Sequence, residues 1–279
     1  MATVPVLLAD GTRRLRAPAE ARTLLAHALG VEPARLALVH EVPPDAAGAY
    51  AALVERRAAG EPVQYLTGRA WFRTVEVGVG PGVFIPRPET ELMTGWAIDR
   101  LAALPGDPVV VELCAGSGAI SAAIAAERPG CRQYAVELSP IAARVAEQNL
   151  AGSGVALVEG DMAEALGELD GTVDLVIANP PYIPLEAWEQ VAVDVRTHEP
   201  EVALFSGADG LDALRVVARV AKRLLRPGGF VCAEHAEVQG GSVVDVFAAA
   251  GGYSQVADHP DLNDRPRYVT AVRAGKLAG

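Results

Sequence analysis

The sequence has few cysteines, no apolar run long enough to cross a membrane, and no excess of positive charge. Its three cysteines, Cys114, Cys131 and Cys232, are scattered and lack the paired spacing of a zinc site or a disulfide framework. We therefore expect reduced, mostly buried thiols and no metal site. The first residues carry only a short apolar stretch, too short for a secretory signal. This pattern predicts a soluble, cytoplasmic protein.

The charge balance argues against a polyanionic partner. Lys and Arg number 24 and Asp and Glu number 35, which gives a formal net charge of −11. An acidic chain disfavours long contacts with a phosphate backbone, so we do not expect duplex nucleic acid as a partner. Because no apolar run has membrane length, we do not expect a membrane as a partner either. The 279 residues allow one large domain or one domain with a small appendage, and we expect two units.

Three stretches of the chain differ in pattern. Residues 1–65 are rich in Ala, Leu, Arg and Glu at helical spacing, which predicts a small helical domain. Residues 66–90 combine alternating apolar residues and aromatics with Gly/Pro turns, which favours a β-hairpin linker. Residues 91–279 form the third stretch, in which strand and helix patterns alternate after Pro105.

That alternation predicts an α/β fold: a doubly wound, Rossmann-like and mainly parallel sheet with helices on both faces. The predicted strands lie near Pro108–Leu113, Gln133–Glu137, Ala156–Glu159, Val173–Ala178, Gly229–Glu234 and Tyr268–Val272. The predicted helices between them include Ala119–Glu127, Pro140–Asn149, Asp212–Leu225 and Gly241–Ala250.

A glycine-containing turn follows the first of these strands, in "VVVELCAGSGAIS". Gly116 and Gly118 let the backbone approach a ligand closely, beyond the carboxyl end of the strand. Glu137 ends the next strand, where a carboxylate can accept hydrogen bonds from both hydroxyls of a ribose. A plain tight turn and a solvated glutamate are the simpler interpretations. Together the features indicate an adenosine-containing cofactor without identifying it.

The spacing of glycines in this turn argues against a nicotinamide cofactor. Ser121 stands where a nicotinamide-binding fingerprint has its third glycine. With Glu112 at the end of the strand, "ELCAGSG" resembles motif I of the S-adenosylmethionine-dependent methyltransferases. That family usually has glycine where Cys114 stands.

Two further residues follow the third strand, where the same fold usually holds adenine. Asp161 would bind the exocyclic amine and Met162 would contact the ring, although a helix cap and a core methionine explain the pair equally well. The candidate cofactor-binding residues are Glu112, Cys114, Ala115, Gly116, Ser117, Gly118, Glu137, Asp161, Met162 and Asn179.

The fourth strand runs into "ANPPYIP", in which two adjacent prolines remove two backbone donors and impose a rigid, extended turn. The side-chain carbonyl of Asn179 and the backbone carbonyl of Pro180 can each accept one N–H of a planar –NH₂ group. Pro181 stiffens this arrangement, and Tyr182 can pack its ring over the substrate. These four residues are the candidate catalytic residues. An Asn-Pro turn that only closes a strand is the alternative.

Asn-Pro-Pro-Tyr after such a strand is typical of methyltransferases that act on planar –NH₂ nitrogen, in adenine, guanine or a glutamine side chain. The wider sequence narrows the choice, because five segments together resemble the HemK-type release factor glutamine methyltransferases. They are "PVQYLTGRAWF" from Pro62, "FIPRPETE" from Phe84, "NPPYIP" from Asn179, "HEPEVALFSGADGL" from His198 and "LLRPGGFVCAEH" from Leu224.

This resemblance, which covers residues 62–272, implies an activity and its partners. Members of the family transfer methyl from S-adenosylmethionine to the glutamine of the Gly-Gly-Gln loop in bacterial peptide chain release factors. The helical domain and the hairpin help to hold the factor. The resemblance implies that Cys114 to Gly118 line the methionine part of the cofactor, that Glu137 binds its ribose, and that Asn179 to Tyr182 hold the glutamine. Many relatives have an aromatic residue at the position of Met162.

Some interpretations stay open. Arg87 and Glu89 lie near the cofactor in the resembling fold, or they contribute to an ion pair that pins the hairpin. A nucleic-acid methyltransferase acting on the exocyclic amine of adenine or guanine shares the tetrad, and a non-catalytic cofactor-binding protein is a third possibility. We assign no chemical role to His27, His198 or His235, because a single histidine is more often structural than catalytic.

Overall fold

A computed structural model describes residues 3–275 in two compact units. The smaller unit consists of the described residues up to Arg69 together with Ala192–His198. The larger unit consists of Ala70–Val191 and the chain from Glu199 onward. Within residues 3–275, no helix has the length and apolar character needed to cross a membrane. The three cysteines carry free thiols.

The helices and strands are as follows. The helices are α1 Val4–Leu15, α2 Pro18–Ala28, α3 Pro44–Ala58, α4 Val63–Thr67, α5 Pro88–Ala102, α6 Ala119–Glu127, α7 Pro140–Asn149, α8 Val193–His198, α9 Asp212–Leu224 and α10 Gly240–Ala250. The strands are β1 Arg69–Phe72, β2 Val75–Gly78, β3 Val109–Leu113, β4 Arg132–Glu137, β5 Ala156–Glu159, β6 Val173–Ala178, β7 Leu225–Glu234, β8 Tyr253–Pro260 and β9 Pro266–Arg273.

The smaller unit is helical, as the sequence predicts. Helices α1, α2 and α3 each have proline in the first turn, where its missing N–H and fixed φ suit a helix start. Their apolar faces bury Leu24, Leu25 and Val54. Gly11 lets α1 approach α3 closely, because a Cβ there would lie 1.8 Å from the hydroxyl oxygen of Tyr50.

The predicted hairpin is present but shorter than expected. Strands β1 and β2 form a two-stranded sheet joined by two residues, of which Arg73 has a φ of 52°. The larger unit includes this hairpin from Ala70 onward. Helix α5 follows it and begins at Pro88, a helix that the sequence analysis did not identify. Proline at its first position and glutamates in its first turn are the local signals for that start.

The larger unit is a doubly wound sheet in the order β5-β4-β3-β6-β7-β9-β8, which confirms the predicted fold class. Strands β3 to β7 run parallel, and β9 and β8 complete the sheet in antiparallel pairs. The chain moves outward from β3 through β4 to β5 and then returns to the other side of β3 at β6. Ligands in such sheets bind beyond the carboxyl ends of the strands at this reversal.

The core of this unit surrounds the central strands. All five residues of β3 are buried, and α9 packs Leu214, Val217 and Ala221 into the same cluster as β6 and β7. Strand β8 was not predicted. Its residues are half-buried or exposed, and register shifts interrupt its pairing with β9, so it lacks the regular alternation that identifies a strand in sequence.

Candidate active site

The strand register brings the predicted site segments together. Leu113 at the end of β3 pairs with Val136 on one side and with Ala178 at the end of β6 on the other. Ala178 in turn pairs with Ala233 of β7. Neighbouring strands lie about 5 Å apart, so the turn after β3, the end of β4 and the tetrad after β6 leave the sheet side by side.

The turn after β3, which we call the glycine bend (residues 114–118), owes its shape to left-handed backbone conformations. The φ angles of Cys114, Gly116 and Gly118 are 59°, 56° and 76°. Gly118 immediately precedes α6, and a Cβ there would lie 3.1 Å from the side chain of Leu150. The space where a Cβ of Gly116 would lie is open. The bend therefore presents backbone rather than side chains at its tip, as a close ligand approach requires.

Cys114 and Met162 both depart from the family pattern, and the structure places them in contact. The thiol of Cys114 donates to Sδ of Met162 at 3.6 Å. Burial and the nearby carboxyl groups raise the pKa of this thiol, so it stays protonated and can donate. The positive φ of Cys114 explains why glycine is usual at this position, since a Cβ strains that conformation.

Glu137, the predicted ribose ligand, is held by backbone amides at the end of β4. Its carboxylate accepts hydrogen bonds from the N–H groups of Gly116 and Ser139, both at 2.7 Å. Burial raises the pKa of Glu137, and these N–H donors oppose the rise because they favour the charged form. Each carboxylate oxygen can accept a further hydrogen bond, so the group is oriented without losing its capacity for ribose hydroxyls.

Glu112 anchors the start of α6. Its carboxyl group is buried and accepts hydrogen bonds from the backbone N–H of Ser121, at 2.9 Å, and from the hydroxyl of the same residue. Burial raises the pKa of Glu112 to about 8, and the negative charge of Glu137 adds to the effect. This side chain therefore joins the end of β3 to the first turn of α6.

The segment after β5 is shaped by local contacts. Asp161 is exposed and accepts a hydrogen bond from the N–H of Ala163 at 2.8 Å, as a capping residue does. Met162 is half-buried and packs against the core of the sheet. No helix begins at Asp161, so its contact is a local turn and not the helix cap of the simpler interpretation, whereas Met162 packs as a core methionine and also lies beside the bend through Cys114.

Asn179, the first residue of the tetrad, has its side-chain nitrogen engaged. Nδ2 donates to the hydroxyl oxygen of Thr90 at 3.1 Å, which leaves the side-chain carbonyl oxygen as the acceptor for another molecule. Pro180 is buried, and Pro181 is half-buried. The tetrad therefore combines a fixed amide with a backbone that has no N–H at two consecutive positions.

A buried carboxylate connects the two ends of the tetrad. Glu234, at the end of β7, accepts a hydrogen bond from the hydroxyl of Thr90 at 2.6 Å and another from the hydroxyl of Tyr182 at 3.1 Å. Burial raises the pKa of Glu234, while its hydroxyl partners and Arg267 act in the opposite direction. Sequence analysis did not identify Thr90 or Glu234 as site residues, although both lie in segments, "FIPRPETE" and "LLRPGGFVCAEH", that carry the family resemblance.

The backbone of the tetrad is held by residues other than Thr90 and Glu234. Gln239 donates from Nε2 to the carbonyl oxygen of Tyr182 at 2.9 Å. Gly210, with a φ of 76°, lies so close that a Cβ would stand 2.3 Å from the same oxygen. The following residues pair with a neighbouring segment, because the N–H of Ile183 donates to the carbonyl of Leu204 at 2.8 Å. The segment is therefore rigid well beyond its prolines.

Arg87 forms an ion pair within the larger unit. Its guanidinium pairs with the buried carboxylate of Glu199, which also accepts from the N–H of Ile85 at 3.3 Å. The same guanidinium lies 4.9 Å from the ring centroid of Phe84. Glu89 is half-buried in the first turn of α5. Arg87 thus fixes the chain that follows the hairpin.

His235, to which sequence analysis assigns no chemical role, is fully buried beside the site. Its Nδ1 lies 3.0 Å from the carbonyl oxygen of Ala236, and its Nε2 lies 3.0 Å from the carboxylate of Asp258. Both ring nitrogens therefore have partners inside the protein.

The residues present fit S-adenosylmethionine. The open space beside Gly116 admits a ligand close to the backbone, and Glu137 supplies acceptors for ribose hydroxyls. The sulfur side chains of Cys114 and Met162 offer an apolar, polarizable contact for a flat ring.

Comparisons with known proteins agree with this fold. Residues 7–68 match the family model described as PrmC N-terminal domain, and residues 110–198 match the model described as Methyltransferase domain. Among solved structures, a methyltransferase from Pyrococcus furiosus superposes with a TM-score of 0.52 at 19% identity, over 71% of this chain and 89% of that chain. This likeness shows the fold.

Relatives of known sequence show the family. This chain is 52% identical to the release factor glutamine methyltransferase of Streptomyces coelicolor, over 91% of this chain and 90% of the relative. It is also 42% identical to a 4-amino-L-phenylalanine/4-methylamino-L-phenylalanine methyltransferase of Streptomyces pristinaespiralis, over 92% of this chain and 86% of the relative. S-Adenosylmethionine is the methyl donor that the methyltransferase domain implies. The chain belongs to the release factor glutamine methyltransferase family, which confirms the resemblance seen in its sequence.

Proposed function

We propose that this protein transfers a methyl group from S-adenosylmethionine to the side-chain amide nitrogen of the glutamine in the Gly-Gly-Gln motif of bacterial peptide chain release factors, in the cytoplasm. One observation carries the proposal. The nitrogen of Asn179 is occupied by Thr90, so its carbonyl oxygen is the free acceptor at the end of β6, beside the glycine bend.

Two acceptors of the tetrad would hold the glutamine amide. The side-chain oxygen of Asn179 and the backbone oxygen of Pro180 each accept one N–H, which fixes the plane of the –NH₂ group. An amide nitrogen is a poor nucleophile because its lone pair is delocalised into the carbonyl. Fixing its position therefore supplies much of the catalysis. Both hydrogen bonds strengthen as positive charge develops on the nitrogen, so they stabilise the transition state more than the ground state.

The rest of the site would bind and orient. When bound, the cofactor supplies a methyl group on a positively charged sulfur, which makes the methyl carbon electrophilic. We assign the ribose to Glu137, the methionine part to residues 114–118 with Glu112 behind them, and the adenine to Asp161 and Met162. Tyr182 would pack its ring against the substrate amide. Burial raises the pKa of the Tyr182 hydroxyl, so this group stays protonated and is not a base. The product nitrogen is acidic enough to lose its proton to water.

The helical region would hold the release factor. Residues 1–65 are the proposed docking domain, residues 66–90 the linker and residues 91–279 the methyltransferase domain. The match of residues 7–68 to the PrmC N-terminal domain supports this division of roles. The acidic net charge of −11 also suits a protein substrate better than duplex nucleic acid.

A second candidate substrate is a small aromatic amine. It is favoured by the 42% identity to an enzyme named for 4-amino-L-phenylalanine, because an amino group on an aromatic ring is close to planar and also presents two N–H donors. The tetrad would bind such a group in the same way as a glutamine amide.

The test separates these substrates in one assay. Purified protein is incubated with radiolabelled S-adenosylmethionine and, in parallel, with a release factor, the same factor with Gln→Ala in its Gly-Gly-Gln motif, 4-amino-L-phenylalanine, or duplex DNA. We expect label on the unmodified factor alone. Label on the amino acid but not on the factor would establish the second candidate, and label on DNA would reject both.

A further inference from the structure

Two residues outside the tetrad form a hydrogen-bonded chain that reaches both of its ends. Asn179 donates to Thr90, Thr90 donates to Glu234, and Tyr182 donates to the other oxygen of Glu234. We propose that Thr90 and Glu234 are positioning residues for methyl transfer, which hold the Asn179 amide with its oxygen toward the substrate. This inference rests on the proposed function.

The need for such residues follows from the shape of an amide. The –CONH₂ group of asparagine occupies almost the same space after a half-turn that exchanges its oxygen and nitrogen. In one orientation Asn179 offers an acceptor to the substrate –NH₂ group. In the other orientation it offers a second –NH₂ group, which cannot accept a hydrogen bond. Catalysis therefore requires that one orientation be preferred.

Glu234 determines the preference through Thr90. A hydroxyl group has one proton, and the 2.6 Å contact commits the proton of Thr90 to the carboxylate of Glu234. The Thr90 hydroxyl then has no proton left for Asn179, so its oxygen can interact with Asn179 only as an acceptor. A flipped Asn179 would place its oxygen against an oxygen with no proton to share, at a distance of about 3 Å. Hydrogen-bond donation therefore runs in one direction, from Asn179 to Thr90 and from Thr90 to the Glu234 carboxylate.

The same carboxylate also fixes Tyr182. Its second oxygen accepts the phenolic proton at 3.1 Å, so one buried group sets both the amide and the ring of the tetrad. Glu234 is only 1% exposed, and the strand register explains its location, because its neighbour Ala233 pairs with Ala178. A carboxylate buried at this depth requires donors, and Thr90 and Tyr182 supply them.

Thr94 provides a matched control on the same helix. It is buried like Thr90 and lies one turn further along α5, and its hydroxyl donates to the carbonyl of Thr90 at 2.9 Å. Replacing either threonine with valine removes one buried hydroxyl at nearly constant volume. Thr90→Val loses the hydrogen bonds to Glu234 and from Asn179, and Thr94→Val loses the one to the Thr90 carbonyl. Only Thr90 contacts the tetrad through its hydroxyl.

The kinetic experiment compares Thr90→Val, Thr90→Ser and Thr94→Val with the wild type, using a release factor as substrate. For Thr90→Val we expect kcat to fall about 10-fold to 100-fold, the range typical of residues that orient a metal ligand through a hydrogen bond, with KM and cofactor Kd changed less than about twofold. Thr90→Ser restores the hydroxyl and should recover most of kcat. Thr94→Val should keep kcat within about twofold. Equal loss of kcat in the two valine variants would overturn the inference, because a general loss of packing would then explain both.

A second measurement does not depend on activity. The side-chain –NH₂ group of Asn179 gives a pair of signals in an ¹⁵N–¹H spectrum, which are assigned by their disappearance in Asn179→Ala. We expect Thr90→Val to shift this pair and to speed its proton exchange, whereas Thr90→Ser and Thr94→Val leave it near the wild-type position. An unchanged pair in Thr90→Val would overturn the inference. If the wild type methylates no release factor, the proposed function fails, while this spectrum still decides the orientation of Asn179.

Discussion

The glycine bend and the tetrad leave neighbouring strands at the same edge of the sheet, but they are held in different ways. The bend depends on partners close in sequence, since Glu137 reaches Gly116 across 21 positions and Glu112 reaches Ser121 across 9. The tetrad depends on distant ones, since Thr90 lies 89 positions from Asn179. In the bend, carboxyl groups accept hydrogen bonds from backbone N–H groups. In the tetrad, the Thr90 hydroxyl and the Glu234 carboxylate hold side chains. This difference predicts that changes in the bend affect cofactor binding and stability, whereas changes in the tetrad affect the reaction rate.

The largest effect is expected from Asn179→Ala. The change removes one preorganised acceptor, so the rate of methyl transfer should fall by a factor on the order of 10² or more, while cofactor affinity stays nearly intact. Single-turnover kinetics measure the first quantity and titration calorimetry the second. A large loss of cofactor affinity at an unchanged rate would show that the two regions have the opposite roles.

Glu137→Gln should produce the reverse pattern. A glutamine side chain has one acceptor oxygen, so it cannot satisfy the N–H groups of both Gly116 and Ser139. One unsatisfied buried donor costs about 1–3 kcal/mol, which corresponds to roughly a 5-fold to 150-fold weaker cofactor Kd if the cost falls on the bound state. The rate at saturating cofactor should stay within about threefold. A fall in that rate with an unchanged Kd would remove the distinction between bend and tetrad.

Glu112→Gln tests the buried carboxyl group beneath the bend through the pH dependence of stability. The pKa of Glu112 is raised from 4.5 to about 8 in the folded protein, so the folded state binds this proton more tightly than the unfolded state. Its contribution to stability is therefore complete below about pH 4.5 and is lost as the pH rises toward 8, at no more than about 1.4 kcal/mol per pH unit.

The variant lacks this titration. The unfolding free energy of Glu112→Gln minus that of the wild type should increase by at least about 1 kcal/mol between pH 5 and pH 8. Urea titrations of both proteins at each pH measure this difference, in which contributions from other groups cancel. A difference that does not vary with pH would mean that Glu112 titrates alike in the folded and unfolded states.

The smallest effect concerns the strained position in the bend. Cys114→Gly removes a Cβ from a left-handed conformation, which we expect to raise the unfolding free energy by about 0.5–1 kcal/mol after the higher entropy of unfolded glycine is subtracted. Cys131→Gly is the control, because Cys131 does not have a positive φ and the same change there should destabilise by about 0.5–1 kcal/mol. Thermal unfolding of both variants decides the sign. A loss of stability in Cys114→Gly would show that the contact with Met162 outweighs the strain.

The same contrast between local and distant contacts explains how much the sequence could predict. Apart from α5 and β8, the main strands and helices of the larger unit were predictable from apolar periodicity, and helices α6 and α7 have the predicted bounds. The bend was predictable because its glycines and Glu137 belong to one strand-turn-helix-strand unit. Strand β8 was missed because its side chains do not alternate between buried and exposed.

Thr90, Glu234 and Gln239 could not be assigned to the site from local pattern. Thr90 looks like an ordinary residue in the first turn of a helix, and Glu234 like the end of a strand. Their role depends on the sheet order, which places β7 next to β6, and sheet order is a long-range property. Gln239 holds the backbone of Tyr182 from 57 positions away for the same reason.

The engaged nitrogen of Asn179 also bears on how the protein avoids becoming its own substrate. Asparagine and glutamine side chains both end in a primary amide. In the proposed reaction, the amide of Asn179 therefore holds the amide of the substrate glutamine next to an alkylating agent that could react with either. Because the nitrogen of Asn179 donates to Thr90, one of its protons is committed inside the protein, and its oxygen is the group that would meet the incoming amide. The hydrogen bond to Thr90 would thereby protect Asn179 itself from methylation while it holds the substrate glutamine.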